Sequence, residues 1–356
     1  MSEQRLTASA RDLASENLAV GSVPFRRGAL FLVDIGGPLL VGFASGNLQP
    51  ALAAAVAGML LSFADNDGAL TRRYWLLAAE AAGIGIAGLA GHLSADTAAA
   101  YWPLLVAITL AAGFAARGGR EPLLVGRHSG IAFVVAASVP AFPLAALLYL
   151  AGAVVLTAAA RGVDYWLWGA LPLLPAAPAR KPASAGGWLR YMLAFAAAAT
   201  GGMAIGDLIG QQHGYWIVIT TLVVMQPDVR GSFWRIVERV AGTLAGVAAA
   251  WAIAAAIHSE ALNCAAILVV APLIPHHLTK RYWLHTGLIA LMVLLAYDLT
   301  QFNSQGLGRL PLERIEDILI GCAVAFVGTA AAFPRSLSAQ LTGIAGKLAG
   351  AKAGTK

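Results

Sequence analysis

The sequence predicts an all-α polytopic membrane protein with about 12 transmembrane helices, arranged as two parallel six-helix repeats. Three observations support this fold class: the composition, a series of apolar segments, and the distribution of Lys and Arg between them. Of the 356 residues, 59% are hydrophobic and 12% are charged, and the mean hydropathy is +0.72. So little charge cannot cover the water-facing surface of a soluble protein of this length.

Twelve apolar segments follow one another along the chain. Several are shorter than the roughly 20 residues that a perpendicular transmembrane helix needs. For the shortest, 214–226, we expect a tilted helix or one sheltered by the rest of the protein. The segments are 28–46, 48–63, 74–92, 98–116, 123–139, 143–160, 190–210, 214–226, 234–257, 261–275, 281–298 and 314–333.

The positive charges sort onto one side of the membrane when these segments are threaded through it. With the N-terminus inside, every Lys and Arg except Arg309 and Arg314 falls on the inner side. Because Lys and Arg near helix ends resist translocation, this bias sets the orientation. The sequence therefore predicts a multi-pass protein of the cell inner (plasma) membrane with both termini in the cytoplasm.

The domain boundaries follow from the same segments. We expect a cytoplasmic N-terminal tail over 1–27, a first six-helix repeat over 28–160, and a Pro- and Ala-rich cytoplasmic linker over 161–189. A second repeat would follow over 190–334. The C-terminal tail, 335–356, has apolar residues at helical spacing and is expected to form an interfacial helix.

Weak internal similarity supports the two repeats. His128 begins a short motif that returns at His285, 157 positions later, and Trp75 returns as Trp234, 159 positions later. Residues before Trp75 recur at an offset of 163, because the first half has four extra residues at that point. Two copies of six spans enter the membrane from the same side, as in transporters built from parallel repeats.

One block of the second half and the last segment carry a recognisable motif. Its residues are Tyr215, Trp216, Gln226, Pro227, Gly231, Arg239, Gly242, Thr243 and Gly246, followed by Arg314, Asp317 and Gly321. These two stretches resemble the fusaric acid resistance/aromatic acid exporter (FUSC-like) family of integral membrane transporters, in a compact form without large cytoplasmic domains. In the first half Phe63-Ala64 stands where the motif has Gln-Pro.

Charged residues within the apolar segments are the candidates for a substrate or proton pathway, since such charges are costly in a membrane and are usually functional. Asp34 is the most isolated acid. It is either a proton carrier or a structural Asp at a helix broken by Gly36-Gly37-Pro38. Glu80 and Arg239 occupy corresponding positions in the two repeats and carry opposite charges, so we hypothesise that they line the path and form an ion pair.

Four further residues join this set on weaker grounds. Arg235 and Arg239 at the inner mouth suit the attraction of carboxylate anions, and Glu238 lies beside them. His128 and His285 recur at matching places in the repeats and are candidates for a proton relay, although duplication alone also explains them.

The leading functional prediction is secondary transport, with proton-coupled efflux of small aromatic or other organic acids implied by the family resemblance. A passive organic-anion channel similar to the malate channels and a non-transporting membrane scaffold are the alternatives.

Neither an enzyme nor a cofactor or metal site is expected, because the sequence has no phosphate-binding loop or Cys/His cluster, and Cys264 and Cys322 lie inside apolar segments. The expected partners are the lipid bilayer, a small organic anion and protons, with a homo-oligomer left open. The net charge of +6 indicates contact with anionic headgroups and no nucleic-acid binding.

Overall fold

The computed structural model describes residues 20–64, 68–138, 144–172, 184–211, 213–256, 259–277, 281–301 and 309–334. Within these ranges the chain is helical, apart from turns and one isolated β-bridge between Gly68 and Leu171. Short 3₁₀ segments follow the fourth and tenth helices. The α-helices are α1 (Val23–Ser45), α2 (Leu48–Ala64), α3 (Leu70–Ser94), α4 (Ala98–Ala115), α5 (Arg120–Ala137), α6 (Leu144–Trp168), α7 (Ala185–Leu208), α8 (Tyr215–Val224), α9 (Val229–Ala256), α10 (Glu260–Val270), α11 (Tyr282–Gln301) and α12 (Leu310–Ala332).

Each of these helices coincides with one of the predicted apolar segments. Among the described residues, eight helices are long and apolar enough to cross a membrane: α1, α3, α4, α6, α7, α9, α11 and α12. The helices α2, α8 and α10 are apolar but shorter, and α5 carries three charged residues. The prediction of a multi-pass α-helical membrane protein is therefore confirmed, whereas eight helices, and not twelve, meet the requirement for a span.

Several predicted boundaries differ from those of the helices. Helix α1 begins at Val23, inside the predicted N-terminal tail, because the Ser22 side chain accepts a hydrogen bond from the backbone N–H of Phe25 and caps the helix there. The predicted linker 161–189 is too wide, since α6 continues to Trp168 and α7 begins at Ala185. Its central residues, 173–183, and the tails 1–19 and 335–356 lie outside the described residues.

Helix α1 also runs unbroken through Gly36-Gly37-Pro38, so the expected break at Asp34 does not occur. Pro38 has no N–H and therefore cannot donate the helical hydrogen bond to the carbonyl of Asp34. The helix nevertheless continues, and Gly58 lets α2 pack directly against the backbone of Asp34. Gly46, with φ of 70°, then ends α1 in the left-handed conformation.

The chain divides into two compact units. The first comprises Met1–Ala78, Pro143–Ala176 and Ala248–Leu307. Within it, α1 packs against α2, α6 and α10 with its following 3₁₀ segment, and α2 packs against α6 and α11. The core of this unit includes Ile35 and Leu39 of α1 and Leu61 of α2.

The second unit comprises Ala79–Phe142, Ala177–Val247 and Gly308–Lys356. Within it, α7 packs against α8, α12 and α4, and α8 packs against α12 and α5. The predicted domains, 28–160 and 190–334, therefore do not coincide with the compact units, because each unit takes helices from both halves of the chain. Helices α3 and α9 are each divided between the units.

Candidate functional site

A buried ion pair in the first unit engages Asp34. Its Oδ2 accepts hydrogen bonds from Arg161 Nη1 of α6, at 2.5 Å, and from the hydroxyl of Ser62 of α2. Arg161 Nη2 also donates to Ser62 Oγ at 2.9 Å. All three side chains are at most 5% exposed. Three helices are thus tied together at Asp34, and its carboxylate is neutralised by a guanidinium.

A second ion-pair cluster lies one helical turn further along α6. Arg26 of α1 binds Asp164 through two parallel hydrogen bonds, Nε to Oδ1 at 2.8 Å and Nη2 to Oδ2 at 2.9 Å. Arg73 Nη1 donates to Oδ2 of the same carboxylate at 2.8 Å. Arg26 Nη2 additionally donates to the carbonyl of Gly169. Bidentate pairs of this kind are strong and geometrically specific, so this cluster anchors the end of α6 in the first unit.

The second unit contains Glu80, whose side chain is fully buried. Its Oε1 hydrogen-bonds to His128 Nδ1 of α5, so the structure brings together two residues that the sequence analysis placed in the pathway separately. Among the described residues, no ion pair joins Glu80 and Arg239. The predicted pair is therefore not formed, because His128 occupies the position beside the Glu80 carboxylate.

The motif hairpin between α8 and α9 is closed by its own hydrogen bonds. The backbone N–H of Gln226 donates to Ser232 Oγ at 2.9 Å, and the N–H of Gly231 donates to Asp228 Oδ1 at 2.7 Å. Pro227 has no N–H and terminates α8. Gln226, at 9% exposure, packs its amide back onto the carbonyl of Val223. These motif residues therefore build a tight turn in which the side chains of Gln226 and Ser232 are buried.

This turn is held by a residue of the first half of the chain. Arg127 Nη2 of α5 donates to the carbonyl of Met225 at 2.5 Å, and the hydroxyl of Tyr191 donates to the same oxygen at 3.4 Å. The last carbonyls of a helix have no intrahelical partner. Arg127 supplies that partner inside the protein, where water is excluded.

A set of buried polar atoms in α8, α9 and α12 has no hydrogen-bond partner among the described residues. It comprises Nε of Arg239, both carboxylate oxygens of Asp317, and the hydroxyls of Thr220 and Thr243. Arg239 is 5% exposed and Asp317 is fully buried. Burying an ion without compensation costs several kcal/mol, and buried polar groups are normally satisfied. These atoms therefore differ from Oδ2 of Asp34 and from both carboxylate oxygens of Asp164 in the first unit, which are bound by guanidinium groups.

A small cavity lies beside this set. Its volume is about 10 Å³, room for about one water molecule. No organic acid fits into it in the conformation observed here. The cavity is lined by Val240, Thr243, Leu244, Ile315, Ile318 and Leu319.

An aromatic and acidic cluster covers the first turn of α12. The Arg314 guanidinium lies 4.2 Å from the ring centroid of Trp216, and the His213 ring stacks on Trp216 at 5.1 Å. His213 Nδ1 lies 3.0 Å from Glu313 Oε2, and Gln211 Nε2 donates to Glu316 Oε2 at 3.1 Å. The segment between α7 and α8 is thus docked onto α12 beside Arg314.

The remaining predicted residues have structural roles or exposed positions. His285 Nδ1 lies 3.0 Å from the carbonyl of Ile274 in the first unit, so it does not repeat the contact of His128. Arg235 and Glu238 are partly exposed on α9. The buried small residues Gly242, Gly246 and Gly321, and the buried rings of Tyr215 and Trp216, serve helix packing.

Sequence reasoning missed several buried charges. The predicted linker 161–189 contains Arg161 and Asp164. Arg26, Arg73 and Arg127 entered the prediction only as positive charges on the inner side of the membrane. A signal existed in the spacing of Arg161 and Asp164, which places both on one helical face. Asp317 was included only as a motif residue, because acids in a first helical turn ordinarily oppose the helix dipole.

The fold and the buried charges define a multi-pass α-helical membrane protein, in which several buried polar atoms have no hydrogen-bond partner in the described ranges. Residues 198–328 match the family described as fusaric acid resistance protein-like, and the resemblance predicted from the motif is thereby confirmed over that segment. Arg239, Thr243, Thr220 and Asp317 all lie within it.

Two relatives extend the comparison. Over 134 residues the chain is 33% identical to the inner membrane protein YccS of Escherichia coli K12. The aligned region covers 37% of this chain and 18% of that protein. Over 131 residues it is 26% identical to an uncharacterized protein of Haemophilus influenzae, again covering 37% of this chain and 18% of the relative. The match thus spans less than a fifth of each relative's length. No solved structure matches the chain.

Proposed function

We propose that this protein is a secondary transporter of the cell inner membrane that exports small aromatic or other organic acids and couples their movement to protons. The proposal assigns it no catalytic step and no cofactor. The location is supported by the similarity to an inner membrane protein, and the substrate class by the family match over 198–328.

The observation that carries the proposal is the pair of buried charges Arg239 and Asp317 in the second unit, which have atoms without a hydrogen-bond partner among the described residues. A buried guanidinium that forms no ion pair within the described part of the chain attracts a small anion, and Arg239 is such a group. A buried carboxyl whose oxygens are both without hydrogen bonds can load and release a proton, and Asp317 is such a group. Asp34, in contrast, is engaged by Arg161 and Ser62 and serves as a brace.

The proposal includes twelve spans in two parallel six-helix repeats, with both termini in the cytoplasm. Twelve described helices that coincide with the twelve apolar segments support the count. The one-sided distribution of Lys and Arg supports the orientation.

A passive organic-anion channel is the second candidate. It is favoured by Arg239 taken alone, since a channel needs a positive group along its path but no carboxyl group that exchanges protons. A scaffold would not require the charges of Arg239 and Asp317, and it predicts that neutralising these two residues leaves the phenotype unchanged.

The test is flux of labelled hydroxybenzoate and benzoate in liposomes that contain the purified protein. One condition imposes a pH gradient with the voltage held at zero, and the other imposes a voltage at equal pH. Uphill flux that requires the pH gradient and is lost in Asp317→Asn and Arg239→Gln supports the exporter. The channel is supported if voltage drives downhill flux of many anions and this flux is the same in Asp317→Asn as in the unaltered protein. Absence of flux in both conditions contradicts both.

A further inference from the structure

The two compact units are built in the same way from opposite halves of the chain. In the first, α1, α2 and α6 of the first half receive α10 and α11 of the second half. In the second, α7, α8 and α12 of the second half receive α4 and α5 of the first half. If the six helices of each half are numbered one to six, both units have the same composition. Each unit contains helices one, two and six of one half, packed with helices four and five of the other half.

The contacts between the exchanged helices and their hosts recur in both units, to within one residue. In the first unit, a Cβ added at Gly28 of α1 would lie 3.0 Å from the carbonyl oxygen of Pro272, which follows α10. In the second, a Cβ added at Gly113 of α4 would lie 3.0 Å from Cα of Met192 in α7. Pro272 lies 159 positions after Gly113, and Met192 lies 164 positions after Gly28, one residue beyond the counterpart expected from the offset of 163. Corresponding helices therefore meet at the same place in both units, to within one residue.

The second pair of helices repeats this relationship. In the first unit the ring centroids of Phe63 in α2 and His285 in α11 are 5.4 Å apart. In the second, Arg127 of α5 binds the carbonyl of Met225 at the end of α8. Phe63 corresponds to the residue after Met225, and His285 to the residue after Arg127, at the offsets of 163 and 157 found in the sequence.

Such reciprocity is the signature of an isologous association, in which residue i contacts j′ and residue j contacts i′. We propose that residues 20–172 and 184–334 are two equivalent six-helix modules that exchange their fourth and fifth helices. The partner that fits each module is accordingly a second six-helix module of the same design. This inference rests on the repeat architecture of the proposed function, and it adds that neither repeat forms a compact unit by itself.

The exchange assigns a role to the first half of the chain, which lies outside the family match. The matched segment 198–328 contributes α10 and α11 to the first unit, so it does not enclose its own core. The first module supplies α4 and α5 to the second unit, and with them the donor Arg127 that satisfies the Met225 carbonyl of the motif turn. The candidate site in the second unit is therefore incomplete without residues of the first module.

The test uses the full chain with a protease cleavage sequence placed within 173–183 and cut after purification. Two cysteine pairs, Gly28→Cys with Pro272→Cys and Gly113→Cys with Met192→Cys, probe the two exchanged contacts. A Cβ at Gly28 would lie 3.5 Å from Cβ of Pro272, and disulfides require Cβ atoms about 3.5–4.5 Å apart. We expect both pairs, after oxidation, to shift the two fragments into one band near the 36.6 kDa of the intact chain.

The control pair lies within one half. Gly202→Cys with Ile217→Cys joins α7 to α8 and should consume its thiols without linking the fragments. Both native cysteines, Cys264 and Cys322, are replaced by Ala in every variant. If either exchanged pair leaves the fragments separate while its thiols remain free, the proposed exchange is wrong.

A second measurement avoids any change in the packed residues. The cleaved chain with its native side chains should elute from a sizing column in mild detergent as one species containing both fragments, and separation into two folded fragments contradicts the inference. Neither readout depends on flux. If the protein transports none of the acids, the proposed function is wrong but the helix exchange is unaffected. If the cross-linking fails, the helix exchange is wrong even when transport is demonstrated.

Discussion

Arg127 and Met225 form a direct link between α5 and the end of α8, with Arg127 Nη2 donating to the Met225 carbonyl at 2.5 Å. The carbonyl has no intrahelical partner because α8 ends at Val224, the residue before it. A turn within the segment that matches the fusaric acid resistance protein-like family is thus completed by an arginine almost one hundred residues earlier in the chain.

This link predicts the effect of removing the donor. Arg127→Gln should lower the free energy of unfolding by about 1–3 kcal/mol, the usual cost of leaving a buried polar group unsatisfied. Tyr191→Phe removes the longer bond to the same oxygen, at 3.4 Å, and should cost less. Denaturant unfolding in detergent measures both. An equal loss in the two variants would show that Arg127 is not the principal donor.

Asp164 is expected to be the most sensitive acid of the first unit. Asp164→Asn leaves Arg26 and Arg73 buried without their carboxylate, so stability should fall by about 3–5 kcal/mol. Asp207, an exposed acid on α7, is the matched control, and Asp207→Asn should change stability by no more than about 0.5 kcal/mol. The midpoint temperatures of thermal inactivation, measured on the purified variants, show which substitution destabilises the protein more. Comparable midpoints for the two variants would contradict a cooperative role for the cluster.

Asp34 and Asp317 should respond in opposite ways to neutralisation. Asp34→Asn removes the counter-charge of Arg161 and should destabilise the fold, while the flux that remains per folded molecule keeps its dependence on the pH gradient. Asp317→Asn removes a carboxyl group without hydrogen-bond partners among the described residues. It should leave stability unchanged or increased and abolish pH-driven flux. The two assays are unfolding and the liposome experiment. Loss of pH coupling in Asp34→Asn alone would transfer the proton site to the first unit.

Close packing of α8 against α12 predicts the cost of a single methyl group. A Cβ at Gly321 would lie 2.7 Å from Thr220 Cβ and 2.8 Å from the Ile217 carbonyl oxygen. Gly321→Ala should therefore destabilise the protein by about 1–3 kcal/mol. Gly201 of α7 has no atom within 4 Å of its added Cβ, and Gly201→Ala should stabilise by up to about 1 kcal/mol through helix propensity. If both substitutions stabilise, the two helices are not in contact at Gly321.

The helices and the family motif were predictable because both are local. Each apolar segment becomes a helix, since a chain in lipid must satisfy its backbone groups within the segment. The motif from Tyr215 to Gly246 is contiguous, so its identification required no folding. The boundaries of α1 and α6 were misplaced because a charged residue at a segment end, such as Arg26 or Arg161, looks the same in a sequence whether it faces water or a buried carboxylate.

The sequence by itself determined the helix positions, the distribution of positive charge and the motif. Only the tertiary structure decided which buried charges are neutralised and which are not. Asp34 was the most isolated acid in the sequence, yet it meets Arg161 from a helix 127 positions away. Asp317 looked like an ordinary first-turn acid, yet neither of its oxygens has a partner among the described residues. The reason is physical: the energy of a buried charge depends on the groups that surround it in space, and these come from helices distant in the chain.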